Sequence, residues 1–430
     1  MRAMKDSGVE WIGEIPQSWE LRRIKTNFEI IAGATPKSGE ASFWDGDIPW
    51  ITPADYTTEG VYVSSGHKNI THDGLNSCAT SLIPNGSIIF SKRAPVGLVA
   101  INSNPLCTNQ GCLSCVPKKT INAKYYYYVM SICSEQFELF ASGTTFKEIS
   151  TDAFANFKLP YPDYETQEKI VSFLDDKCAE IDTLIEAKEK NSALLKEWRQ
   201  SIIYEAVTKG FDPSAPMKDS GVEWIGEIPK KWKIAELKRL GTPVTGSTPS
   251  KDNPNYWDGD IPWVSSKDMK MDYLFDSEDH ITQEAVAGCG LTLFAPGTLI
   301  FCVRSGILRH TFPVAVATIP VTINQDLRAL CLTENVNPAF LLYYMKGMND
   351  TIVTLYQKIG ATVESIEMDW FLYFPVVLPS REEQDRIVEA LDSECTSLDQ
   401  TVQQNEATIK QLKEYRQSLI YEAVTGKIKV

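Results

Sequence analysis

Two stretches of this chain, Glu165 to Val207 and Glu382 to Val424, lack proline and glycine and space apolar residues alternately by four and three. In the first the apolar positions are Ile170, Leu174, Ile181, Leu184, Leu195, Trp198 and Ile202. In the second they are Ile387, Leu391, Leu398, Leu412, Tyr415 and Leu419. The spacing is that of a coiled-coil seam, with polar gaps at Lys188, Asn191, Asn405 and Thr408. Each stretch predicts one helix of about 40 residues, about 60 Å long. Lys209-Gly210 and Gly426 supply the stops. Alone, such a helix leaves a narrow apolar stripe uncovered. Two in one chain can cover each other.

The rest of the chain has a different texture. Residues 1–163 and 217–379 are rich in glycine, proline and short apolar runs. Ser87–Phe90, Leu98–Ile101, Leu113–Val116, Thr298–Val303 and Val314–Ala317 read as strands. Asn122–Phe140 and Asn337–Leu355 read as helices capped by their asparagines. The expected fold class is α+β: two mixed α/β domains (1–163 and 217–379) and two long helical segments (164–210 and 380–430), with a linker at 211–216. Length alone allows two or three domains.

The two halves repeat each other. Met4–Pro16 and Met217–Pro229 are identical at all 13 positions, which makes the halves mutual controls. Gly33-Ala-Thr-Pro36 faces Gly246-Ser-Thr-Pro249, and Phe43–Trp50 faces Tyr256–Trp263. Asn109-Gln110 faces Asn324-Gln325, Arg93 faces Arg304, and Gly143-Thr-Thr145 faces Gly360-Ala-Thr362. Lys196–Thr208 faces Lys413–Thr425. With so short a linker, a local twofold implies that the long helices run antiparallel, with the globular parts at opposite ends. The chain end near Val430 then lies close to Met4, giving a nearly circular arrangement.

Composition narrows the class. No apolar run is long enough to span a bilayer, and the first residues lack the apolar stretch of a signal peptide. The expectation is a cytoplasmic protein with no membrane partner. Ten cysteines in 430 residues are too sparse for a disulfide scaffold. Cys107, Cys112 and Cys115 have the spacing of a ferredoxin ligand set. The matching positions of the second half are Thr322, Leu327 and Leu330, so buried strand cysteines are favoured and no metal is expected. The net charge of −14 opposes a simple nucleic-acid footprint. Thr26 to Lys158 carries 9 basic and 11 acidic residues, and Leu240 to Val376 carries 8 and 15. Domains so balanced need a partner to supply phosphate contact.

No catalytic signature survives comparison of the halves. There is no phosphate-binding glycine loop. Asn253-Pro-Asn-Tyr256 resembles an amino-methyltransferase signature, but it faces Glu40-Ala-Ser-Phe43, and a turn is favoured. His67 and His72 have no counterpart and read as loop residues. Asp45/Asp47 and Asp258/Asp260 lie within W-D-G-D-I-P-W segments, where Asp-Gly is a turn dipeptide. The candidates for polyanion contact are Thr35, Lys37, Lys92, Arg93, Thr144, Thr145 and Lys147 in the first half. In the second they are Thr248, Ser250, Lys251, Arg304, Arg309 and His310. Basic side chains and hydroxyls suit base edges and phosphates. The repeated Asn-Gln suits adenine edges or backbone capping equally.

These motifs resemble the specificity subunits of type I restriction–modification systems, over the whole length. The resemblance rests on Ser7–Trp19 and Ser220–Trp232, on the G-x-T-P and W-x-G-x-I-P-W segments, and on Pro162–Gln167 and Leu378–Gln384 opening each long helix. It implies two target-recognition domains that each read half of a split duplex DNA site. It implies two helices that form an antiparallel spacer and set the gap. It implies no catalysis and no cofactor on this chain. Two methyltransferase subunits would bring S-adenosylmethionine chemistry, and translocating endonuclease subunits would join with ATP and Mg. Matching surfaces should bind the same partner twice, which makes Trp11, Trp19, Trp198, Tyr204, Trp224, Trp232, Tyr415 and Tyr421 the candidates for partner contact. Divergent loops, such as Gly60–Cys78 against Met271–Gly288, should read unlike targets. The competing readings are a self-contained DNA methyltransferase or nuclease, and a scaffold that binds proteins only.

Overall fold

The structure, a computed structural model, describes residues 3–57, 60–143, 147–358 and 363–430. The chain forms two compact units that do not follow chain order. The first is Met1–Lys188 with Ala407–Val430, and the second is Glu189–Glu406. Each joins one globular part to a stretch of both long helices.

Both globular parts have one topology. In the first unit a five-stranded sheet has the order Phe28–Ala32, Cys112–Pro117, Ile88–Ser91, Val99–Asn102, Tyr62–Val63. In the second the order is Gly241–Thr245, Leu327–Leu332, Leu299–Cys302, Val314–Ala317, Tyr273–Leu274. A three-stranded sheet accompanies each, centred on Trp44–Ile51 and Trp257–Val264. Strands Ile88–Ser91 and Val99–Asn102 are buried at every position because both faces of the sheet are covered. Alternate residues then enter separate cores. Ile88, Phe90, Val99 and Ile101 join the aromatic helix Ala123–Ser131. Ile89, Ala100 and Cys112 pack with Ile51, Tyr56 and Leu106. The second unit splits Leu299 and Phe301 from Ile300 and Cys302 in the same way.

Asn122 and Asn337 cap their helices, each accepting two backbone N–H groups. Neither helix runs as far as its sequence pattern predicts. The first ends at Ser131 and resumes as Ser134–Leu139, and the second breaks at Met348 between Pro338–Gly347 and Asn349–Tyr356. The redirected segment in the first unit carries Phe137 into the core, against Phe90, Phe154 and Phe157.

The long helices are Tyr164–Lys209, 46 residues, and Arg381–Val424, 44 residues. Their seam is one residue out of phase with the sequence reading at several places. Ile185 is 8% exposed, whereas Leu184 is 53% exposed. Counting on from Ile181 and Ile185 by three and four reaches Lys188, Ser192, Leu195, Arg199 and Ile202. Trp198 and Tyr415, half exposed at 54% and 57%, therefore lie outside the seam. Arg199 and Arg416 hold those places instead. In the second unit Arg199 lies 3.1 Å from Asp399, and Asn405 donates to Asn191 at 2.8 Å and Ser192 at 3.2 Å. Residue numbers rise on one helix as they fall on the other, so the pairing is antiparallel. In the first unit Arg416 lies 3.3 Å from Asp182, the repeat-equivalent contact. Both arginine Nε atoms sit at ion-pair distance without hydrogen-bond geometry, so charge rather than a directed bond holds these pairs.

The ends of the helices return to the repeated segments. In the first unit Tyr421 donates to Ile12 O at 3.1 Å, and Gly426, at φ +73°, sits where a Cβ would lie 2.5 Å from Pro16. The expected closeness of the chain end to the Met4 segment is thus present within this unit. In the second, Tyr204 donates to Trp224 O at 2.9 Å, and Gly210, at φ +74°, packs on Trp232.

The seam assignment makes a direct prediction. Ile185→Ala should cost about 2–4 kcal/mol of stability in denaturant titration, and Leu184→Ala less than about 0.5 kcal/mol. Equal losses would return the seam to the phase read from sequence.

Candidate nucleic-acid interface

Strand directions gather the candidate residues at one end of each five-stranded sheet. In the first unit Ala32, Ser91 and Cys112 lie side by side, in the registers Leu113↔Ala32 and Cys112↔Ser91. The chain leaving Ala32 becomes the Gly33–Pro36 loop, and the chain leaving Ser91 becomes Lys92-Arg93. The chain entering Cys112 is the Asn109–Gly111 turn. Lys92 N donates to Gly111 O at 2.9 Å, which seals two of these loops together. In the second unit Val303 and Arg304 both donate to Asp326 O, at 2.9 and 3.3 Å.

The loops are held firmly. A Cβ on Gly33 would lie 2.1 Å from Asn109 O, and one on Gly246 2.1 Å from Asn324 O, so only glycine fits. Trp50 Nε1 donates to Ala34 O and Trp263 Nε1 to Ser247 O, both at 3.0 Å. Pro36 and Pro249 are buried, while Lys37, Ser250 and Lys251 lie exposed beyond them. The Asp-Gly of each W-D-G-D segment bends its strand. Asp45 and Asp258 have φ near +59° and +58°, and the strand register shifts there. This is turn chemistry, with the left-handed backbone of Asp45 and Asp258 placed at a bulge.

Four of the basic side chains, Lys92, Arg93, Lys147 and Arg309, are held by acids. Lys92 Nζ lies 2.9 Å and Arg93 Nε 2.8 Å from the Glu148 carboxylate. Partial burial pushes the Glu148 carboxyl up, but hydrogen bonds and charge from Lys92 and Arg93 outweigh it and hold the group below the usual carboxylate range. A depressed carboxyl contributes most above its ordinary value and releases as pH falls through the lowered one. Arg309 pairs with Glu364, whose own backbone N–H and the guanidinium lower its carboxyl. Lys147 pairs with Glu138 at 3.2 Å. Arg304 forms a backbone bridge with Ser365 and, among the described residues, has no acidic partner. His310 follows the turn Gly306–Arg309. Thr144 and Thr145 lie outside the described residues.

Sequence reasoning missed several features of this surface. The repeated Asn-Gln divides its labour. Asn109 and Asn324 cap their own turns, accepting from Gly111 N at 2.9 Å and Asp326 N at 3.0 Å. Gln110 and Gln325 are exposed, and the hydroxyls of Thr35 and Thr248 donate to their carbonyl oxygens. Arg328 stands where the first half has Leu113, its guanidinium donating to Gln325 O at 3.0 Å and Leu327 O at 2.9 Å. Aligning the halves from Asn109 and Asn324 would have found it. The acid clamps have no sequence signal, because Glu148 lies 55 residues from Arg93.

Other candidates resolve by burial. Trp19 and Trp232 are each 1% exposed and build the cores, which corrects their assignment as partner contacts. Trp11 and Trp224 are partly buried, stacking on Phe157 at 6.1 Å and Phe374 at 5.5 Å. Tyr204 and Tyr421 are also partly buried, and Trp198 and Tyr415 stand out from the helices. Cys107, Cys112 and Cys115 enter three separate apolar clusters. Burial pushes the Cys112 thiol up to about 12 and the Cys107 thiol to about 11. The backbone and side chain of His67 both bond to Asp55. Asn253 caps the turn Pro254–Tyr256. No helix among the described residues is long and apolar enough to cross a membrane.

Comparison with known proteins agrees with this geometry. The chain matches the description "Type I restriction modification DNA specificity domain" twice, over residues 16–194 and 229–414. A relative from Methanocaldococcus jannaschii, named Type I restriction enzyme MjaIX specificity subunit, is 29% identical over 427 residues, covering 97% of this chain and 95% of the relative. The EcoR124I/EcoR124II specificity subunit of Escherichia coli is 30% identical over 284 residues, covering 65% of this chain and 64% of the relative. A chain from a study of complex assembly and conformational transition in the type I R-M system has the same fold. Its TM-score is 0.77 at 16% identity, with 96% of this chain and 99% of that chain covered. The HsdS subunit of Thermoanaerobacter tengcongensis gives 0.57 at 16% identity, covering 96% and 98%.

If Glu148 competes with phosphate for Lys92 and Arg93, Glu148→Gln should strengthen binding to unrelated duplex DNA at low salt. It should also steepen the salt dependence, by up to about 0.9 in log–log slope per phosphate gained. Filter binding across a salt series checks this, and an unchanged slope would contradict it.

Proposed function

The chain belongs to the type I restriction–modification DNA specificity family, and from that premise we propose that each unit reads one half of a bipartite duplex site. The unread gap between the halves is set by the long helices. Specificity subunits of this family bind DNA and work in complexes with modification and endonuclease subunits. The observation that carries the proposal is the doubled sheet end. The same rigid loops are built twice, while the segments around them differ between the units.

In this reading the chain is not itself an enzyme. It selects the site, and the partners act on it. S-adenosylmethionine chemistry belongs to two modification subunits, and the steps that use ATP and Mg belong to endonuclease subunits. Two copies of one partner fit the two identical segments Met4–Pro16 and Met217–Pro229. Trp198 and Tyr415, half exposed at equivalent places, supply a matching pair of contacts. Acidic domains that bind duplex weakly alone gain phosphate contact from those partners. Arg93 and Arg304 occupy equivalent turns, one clamped and one opposite a serine, which suits them to unlike half-sites.

Methylation mapping with the reconstituted complex tests this. Two short specified blocks separated by an unspecified gap are expected. Arg93→Ala should weaken or relax one block and Arg304→Ala the other, at about 1–3 kcal/mol where a base is read. A single continuous site, or equal loss at both blocks from either substitution, would contradict the proposal.

A further inference from the structure

The Gln110 and Gln325 amides occupy matching places in the two units, and the DNA-reading proposal gives them no role. Each projects from a turn that its own neighbour, Asn109 or Asn324, has already capped. Each accepts, at its carbonyl oxygen, the hydroxyl of the threonine in the G-x-T-P loop. That contact fixes the amide plane and turns the NH₂ group away from the threonine. The Gln110 NH₂ has no bond to any described residue, and that of Gln325 makes one long bond, 3.4 Å, to Asp326. The Gln110 fork therefore offers two N–H donors, and the Gln325 fork one besides its long bond to Asp326. Each fork adjoins the turn that carries Arg93 or Arg304.

We propose that Thr35–Gln110 and Thr248–Gln325 are twin amide forks that bind the sugar–phosphate backbone, one at each half-site. The inference rests on the reading of the sheet ends as the DNA interface. Two half-sites of different sequence share only their backbone, so a feature identical in both units should bind what both half-sites have. N–H donors with spare capacity suit anionic phosphate oxygens. Neutral donors can add such contacts in domains whose net charge is −2 over Thr26–Lys158 and −7 over Leu240–Val376. The forks contribute affinity and position, while the divergent loops carry sequence.

The test uses the chain assembled with its modification subunits. Gln110→Glu and Gln325→Glu keep an acceptor for the threonine hydroxyl but replace the donors with an anionic oxygen. Gln110→Ala and Gln325→Ala remove the fork. Each alanine variant should weaken binding about five- to tenfold, and each glutamate variant more. The loss should be the same for cognate duplex and for duplex of unrelated sequence. The alanine variants should leave the salt slope unchanged, since no cation is lost, and methylation mapping should return the parent site. Relaxed preference at one base pair would make the fork a base reader and overturn the proposal. Unchanged affinity in the glutamate variants would overturn it too, and those variants decide the matter if an alanine variant lowers the melting temperature. Arg93→Ala and Arg304→Ala run alongside. If they weaken binding while the glutamine variants do not, only the forks fail. If neither set weakens it, the sheet-end interface itself is wrong.

Discussion

Each long helix carries one narrow apolar stripe, and covering that stripe is the constraint from which the rest follows. An isolated helix with so little apolar surface is marginal in water. In each unit the stripe is buried against the other helix and against the globular part. Ile170, Leu174 and Ile181 share a core with Leu419, Ile420 and Val424. Ile387, Leu391 and Cys395 share one with Ile203 and Val207. The stripe is interrupted by Arg199 and Arg416, which meet Asp399 and Asp182, and by Asn405, which meets Asn191 and Ser192. Polar groups in a seam cost stability and fix register. Register matters for the spacer role proposed for the helix pair.

The second constraint is rigidity at the sheet ends. A protein that reads sequence must hold its donors within a fraction of an ångström. Here the requirement is met by buried prolines, indole N–H bonds to loop carbonyls, and glycines with no room for a Cβ. Charge is handled locally rather than globally. The carboxylates of Glu148 and Glu364 pair with Lys92, Arg93 and Arg309.

Much of this was legible in the sequence because the chain repeats itself. The heptad spacing gave the long helices, and the short apolar runs gave the central strands. The repeat separated the Cys107–Cys115 spacing from a metal site. What stayed hidden depended on tertiary context. Leu184 and Ile185 are equally apolar, so the seam phase rested on which of them met a partner. Trp198 looked like a seam residue by spacing, yet Arg199 holds the place and faces Asp399. Trp19 and Trp232 looked like surface contacts because they repeat, and they repeat because both cores need them. The helix breaks at Cys133 and Met348 carry no proline to announce them. Asn109 and Gln110 could not be told apart in role until the turn geometry assigned one to the backbone and the other to the outside.

The central claim is that the helix pair sets the distance between two reading surfaces. Inserting one heptad into each helix, after Lys190 and after Ala407, preserves the seam and adds about 10 Å to each helix. Methylation mapping with the lengthened chain should recover the same two half-sites with a gap longer by about 3 base pairs, at 3.4 Å per base pair. The same half-sites at an unchanged gap would contradict the account.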